Sequence, residues 1–200
     1  FSSALSSTYE HSVAAVKELQ KMYPDRDIRV FDTKCASLGQ GLLVYTCANL
    51  ANEGKSLDEV ETFAKENTLK LNHWFTCDSL QRLKLGGRIS ATSALLGGLL
   101  DIKPVMHVDN EGRLIPMAKV RSRQASITAL ANKVTDTIVD PENQTIFISH
   151  GDCLDDVHKL MERISAKIKV KGFEVNYVGP VIGAHTGAGV LAVFCYANER

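Results

Sequence analysis

Residues 102–120 read IKPVMHVDNEGRLIPMAKV: two short apolar runs joined by DNEG, with Gly112 in the connection. Runs of this length, rich in Val and Ile and interrupted by turn residues, predict a β-hairpin. A hairpin is antiparallel, so a sheet that contains it is not an all-parallel one. Working outward, LNHWFTC (71–77) has strand character, Asp78 or Ser79 can cap a short helix ending at Gly86-Gly87, and SATSALLGGLL (90–100) reads as an apolar helix. Downstream, a helix is predicted from about Ser122 to Val139, a buried strand at TIFISH (145–150), and a helix from Leu154 to Lys169. FEVNYV and VLAVFCY then read as strands on either side of a glycine-rich loop.

The first third has a different rhythm. Val13, Val16, Leu19 and Met22 recur at helical spacing before Pro24. DIRVFD (27–32) reads as a short strand, and GLLVYTCANLAN (41–52) as a strongly apolar helix. Ser56 and Glu59 form a capping box for a helix reaching about Leu69. The expectation is an α/β protein divided near residue 70. Residues 1–70 would be part of a layered α/β domain, and 71–200 a second α/β domain whose mixed sheet carries helices on one side.

Composition excludes several function classes. The 200 residues are 44% hydrophobic, with 23 Lys and Arg against 23 Asp and Glu, so no overall charge draws the chain to nucleic acid. Cys35, Cys47, Cys77, Cys153 and Cys195 are scattered, odd in number and without a C-x-x-C pair, which fits reduced cytosolic thiols better than a disulfide frame or zinc knuckle. No apolar run approaches the ~20 residues that span a bilayer. FSSALSSTYEHS has neither the basic start nor the apolar run of a signal peptide, and its abrupt opening on Phe1 leads us to expect upstream sequence.

Catalytic motifs are absent: there is no P-loop, no G-x-S-x-G elbow and no kinase signature. His150 and Asp152 in SHGDC are two candidate metal ligands without a second cluster, so no metal is expected. Three stretches stand out instead. FSSALSSTY (1–9) places hydroxyls before a helix start, where they can cap the helix or hold an anion. LKLGGRISATSALLGGLLDIKPV (83–105) is apolar with Arg88 after two glycines, and VGPVIGAHTGAGVLAVF (178–194) sets His185 and Thr186 among glycines. The last reads either as a tight chain reversal or as an anion site in which backbone N–H groups and a histidine face one ligand.

Together FSSALSSTY, DTKCASLGQGLLV, LKLGGRISATSALLGGLLDIKPV, KVRSRQAS, HGD and GPVIGAHTGAG resemble, in order, the motifs of the DegV family of bacterial fatty-acid-binding proteins, carrier subunits of fatty acid kinase. The resemblance covers essentially the whole chain. It implies a two-domain DegV-like fold in which 1–70 is the remnant of a three-layer α/β/α domain whose upstream part is missing. A long-chain fatty acid would lie between the domains, with no other cofactor. Ser2, Ser3 and His185, with Thr186 beside it, would surround its carboxylate. The acyl tunnel would include Ile89, Ala94, Leu95 and Leu96, although each leucine taken singly reads as plain core. Arg88 and Arg121 would face the kinase subunit. Ser7 and Ala188 depart from the family's usual glycine and proline.

These implications describe a cytoplasmic carrier rather than an enzyme. Its partners would be a fatty acid and an ATP-dependent kinase subunit, without nucleic acid or a membrane span and with at most transient membrane contact. The alternative is a stand-alone hydrolase or transferase using His185 as general base, which would need a nucleophile within hydrogen-bond reach of the ring.

Overall fold

The computed structural model describes residues 1–90 and 101–200. In chain order the elements are α1 (Thr8–Met22), α2 (Ser37–Asn52), α3 (Leu57–Asn67), β1 (Leu71–Thr76), α4 (Gln81–Leu85), β2 (Ile102–Val108), β3 (Leu114–Arg121) and α5 (Arg123–Thr137). They continue with β4 (Thr145–His150), α6 (Leu154–Ser165), β5 (Gly172–Tyr177), α7 (Pro180–Thr186) and β6 (Leu191–Tyr196). The expected apolar helix at 90–100 falls almost entirely outside the described residues.

One six-stranded mixed sheet organises the chain, in the order β3-β2-β1-β6-β4-β5. The β2–β3 hairpin is present, with Asp109 N–H bonded to Arg113 O and Gly112 in the left-handed region at φ 80°. Among the described residues only β4 and β5 pair in parallel, and α6 supplies the crossover that parallel strands need. Pro116 lies on the edge strand β3, where a missing N–H is tolerated.

The sheet's two faces take different cover. Trp74, Val105, Ile146, Ile148, Leu191, Val193 and Cys195 face α5 and α6. Those helices bury Ile127, Leu130 and Val134, and Val157, Leu160 and Ile164, at helical spacing. Phe75, Met106, Phe147, Ala192 and Phe194 point the other way and meet Leu42 and Leu43 of α2, Ala64 of α3 and Leu83 of α4. Residues 1–70 roof this second face together with α4 and α7, so the helices of residues 71–200 lie on both sides of the sheet and not on one side as expected.

The Ser56–Glu59 capping box forms as expected, with both reciprocal bonds in place. DIRVFD does not become a strand. Among the described residues all six strands lie beyond residue 70, and residues 27–32 pair with none of them.

Leu130 is fully buried between α5 and the sheet, whereas Val44 on α2 is 57% exposed. Leu130→Ala is expected to lower unfolding free energy by about 2–5 kcal/mol, and Val44→Ala to change it by less than about 0.5 kcal/mol. Urea denaturation checks both.

Candidate functional site

A cavity of about 400 Å³ lies on the second face of the sheet. Its floor is the sheet itself: His73 and Phe75 from β1, Ser149 from β4, Ala192 and Phe194 from β6. Phe1, Leu5, Ser6 and Thr8 form one wall, and Ala36 and Ser37 at the start of α2 another. Leu83, Arg88 and α7 close the remaining sides, together with Val108 and Leu114. Most of the lining is apolar, with a few polar groups among it, the usual composition of a small-molecule site.

The segment around His185 is a short helix rather than an open loop. Pro180 occupies its first turn, where a missing N–H costs nothing, and Gly187 ends it at φ 80°. This brings His185 and Thr186 to the cavity wall together. Thr186 Oγ1 donates to Ile182 O at 2.9 Å, so its hydroxyl would meet a carboxylate, which only accepts, by exchanging that bond. The His185 ring lies directly over Gly86, where a Cβ would collide with Nδ1. Gly86 is therefore a glycine for close approach, while Gly87, at φ 71°, makes the turn. Arg88 follows, with Nε donating to Leu5 O at 3.1 Å and Nη1 to Gly86 O.

Other expected residues lie elsewhere. Ser2 is fully buried, its Oγ donating to Gly112 O at 2.7 Å and its N–H to Cys35 O at 2.9 Å. Ser3 is exposed and gives both N–H (3.1 Å) and Oγ–H (2.5 Å) to the Asp32 carboxylate. Burial pushes the Asp32 carboxyl up, but the bonds from Ser3 and from the Lys34 amide outweigh it and hold it below its ordinary range. Neither serine lines the cavity, and each hydroxyl is satisfied by a protein acceptor. Ile89 is buried in the adjoining core, and Ala94, Leu95 and Leu96 lie outside the described residues. Arg88 lines the cavity instead of facing away from it, and Arg121 is exposed at the end of β3.

Polar groups outside the expected carboxylate ligands also line the cavity. Ser6 Oγ and Thr8 Oγ1 bond each other at 2.8 Å. Ser37 Oγ and Ser149 Oγ lie 2.9 Å apart. Ser37 stands within the quoted motif DTKCASLGQG, and Ser149 one residue before the flagged His150.

His73 is fully enclosed, with Nδ1 bonded to Leu71 O at 2.9 Å and Nε2 accepting from Ala36 N–H at 3.4 Å. Burial, then the nearby Arg200 charge, drives its pKa well below the ordinary histidine value. His107 packs parallel to Trp74 at 4.0 Å, with Nδ1 against His73 O at 3.0 Å, and burial lowers its pKa to about 4. Among the described residues, no cluster of three or more His, Cys, Asp or Glu side chains could hold a metal ion, and no helix is long and apolar enough to cross a membrane.

Two outcomes are expected from this geometry. Gly86→Ala should displace the His185 ring and cost about 1–3 kcal/mol through overpacking, read by denaturation and by the ring's proton shifts in NMR. Because both folded-state histidine pKa values are depressed, the unfolded chain binds more protons below about pH 6.5. Stability should be complete above that pH and fall on acidification toward pH 4, by up to about 1.4 kcal/mol per pH unit for each histidine. Urea midpoints at pH 7.5, 6 and 5 check the sign.

Comparison with known proteins bears on this arrangement. The family model described as "Uncharacterised protein, DegV family" matches residues 1–198. A DegV domain-containing protein of Clostridium perfringens is 50% identical over 200 residues, all of this chain and 69% of the relative. The structure of a fatty-acid-binding DegV family protein from Thermus thermophilus superposes with a TM-score of 0.87 at 30% identity, covering 98% of this chain and 69% of that one. A fatty-acid-binding DegV family protein from Streptococcus agalactiae gives 0.82 at 27% identity, covering all of this chain and 69% of its own. With the match running through both the roofing helices and the sheet, the chain belongs to the DegV family.

Proposed function

We propose that the cavity holds a long-chain fatty acid whose carboxylate lies at His185 and Thr186 and is offered to an ATP-dependent kinase subunit for acyl-phosphate formation. The observation that carries this reading is an apolar cavity of about 400 Å³ with an imidazole and a hydroxyl at its wall. That volume falls within the range of small-molecule sites. At ~0.8 kcal/mol per buried methylene, a sixteen-carbon tail contributes on the order of 10 kcal/mol. The polar contacts then govern position more than affinity. Fatty-acid binding in the Thermus thermophilus and Streptococcus agalactiae relatives supports the ligand class.

In this reading residues 1–70 and 71–200 are the two domains and the lipid lies between them. Ser2 and Ser3 would join the head group only by exchanging their bonds to Gly112 and Asp32. Arg121, exposed and outside the cavity lining, is the arginine placed to meet a kinase, whereas Arg88 ties the cavity wall to Leu5. The chain acts as a carrier without chemistry of its own, in the cytoplasm, where its five free thiols would stay reduced.

Solvent extracts of the purified protein analysed by mass spectrometry should contain long-chain fatty acids; lipid-free preparations that take up no added palmitate would end the proposal. His185→Ala should keep its lipid, since a charge-assisted hydrogen bond is worth ~1.5–3 kcal/mol, yet slow kinase-dependent turnover by about ten- to a hundredfold. His185→Gln should recover part of that rate. Arg121→Ala should leave lipid content unchanged and lower turnover. Turnover of an ester or acyl substrate without kinase and ATP, abolished in His185→Ala, would instead support the hydrolase reading.

A further inference from the structure

We infer that the Ser37–Ser149 hydroxyl pair is a second polar subsite of the cavity, suited to an acyl chain that carries a hydroxyl group along its length. The inference rests on the proposed fatty-acid reading and narrows the ligand class within it. Ser149 is fully buried on the sheet floor, and its Oγ meets Ser37 Oγ at 2.9 Å where α2 begins. Each serine hydroxyl has one proton to give. A bond between the two uses one of them, and no other acceptor for either hydroxyl is found among the described residues. One O–H donor is therefore left over in a cavity whose floor is otherwise Phe75, Ala192, Phe194 and a histidine engaged on both nitrogens.

Ser37 adds a second, independent observation. Its φ is 53°, a conformation uncommon for any residue but glycine, asparagine or aspartate. Glycine would satisfy the backbone there without strain, so the serine contributes something besides backbone shape, and what it presents is the hydroxyl on Ser149 and the cavity. A plain methylene chain offers this donor nothing and leaves it unpaired. A chain hydroxyl can accept from it and can donate back to the lone pairs of either serine. Ser37 and Ser149 belong to α2 and β4 and His185 and Thr186 to α7, so in this reading carboxylate and chain hydroxyl are held by different elements of one cavity.

The test is calorimetric titration of the 200-residue chain with stearate and a positional series of hydroxystearates, including the 10- and 12-hydroxy acids. The wild type should bind at least one hydroxystearate about three- to tenfold more tightly than stearate, the gain from one added neutral hydrogen bond. Ser149→Ala should abolish that preference while retaining stearate. Ser37→Gly, which relieves the positive φ and so guards against a folding artefact, should do the same. If every hydroxystearate binds more weakly than stearate and the ratio is the same in the variants, the subsite is refuted while the fatty-acid reading stands. If neither stearate nor any hydroxystearate binds, both fall.

Discussion

Everything distinctive about this molecule depends on how α2 is seated on the sheet. Gly39 rests against the buried His73 ring so closely that a methyl group there would overlap the imidazole. The Ala36 N–H and the Ser37 hydroxyl add polar contacts on either side of that point. Leu42 and Leu43 then fill the space over Phe147 and Phe194, farther along the helix. The roof is pinned at its start and packed behind it, and the unfilled volume is left in front, toward α7. A cavity forms because the face is covered by a segment that reaches over it without lying flat on it.

That arrangement also explains why His73 must stay neutral. Its two nitrogens hold the β1 backbone on one side and the start of α2 on the other, as donor and acceptor respectively. A second proton would destroy the acceptor and strand a charge near Arg200, whose guanidinium bonds the carbonyls of Lys34, Thr68 and Leu71. Burying an unpaired charge costs far more than a hydrogen bond returns. The loop from Asp32 to Ala36 is thus fixed from three directions: Ser3 on Asp32, Arg200 on the Lys34 carbonyl and His73 on Ala36.

What was legible in the sequence was what local chemistry decides. The capping box at Ser56, the hairpin around Gly112 and the buried strand TIFISH follow from neighbouring residues, and all are present. The pattern at 27–32 misled because a strand exists only with an edge to pair with, and pairing is not a local property. At 178–194 the glycines suggested a loop, yet Pro180 and Gly187 are a helix start and stop in ordinary positions. The site was half legible. His185 and Thr186 announced themselves by composition, whereas Ser2 and Ser3 turned out to be occupied by Gly112 and Asp32, partners up to 110 residues away. Ser37 and Ser149 meet across 112 residues, a juxtaposition that no spacing rule can reveal.

In the proposed reading the lipid lies against the sheet floor between the start of α2 and α7. Ala192 sits on that floor between Phe75 and Ser149, with its methyl group at the cavity. Calorimetric titration of palmitate into the wild type and into Ala192→Trp locates the tail, since an indole there would occupy the space assigned to it. Saturable one-to-one binding to the wild type and none to a folded Ala192→Trp are expected. Undiminished binding by that variant would place the lipid elsewhere and contradict the reading.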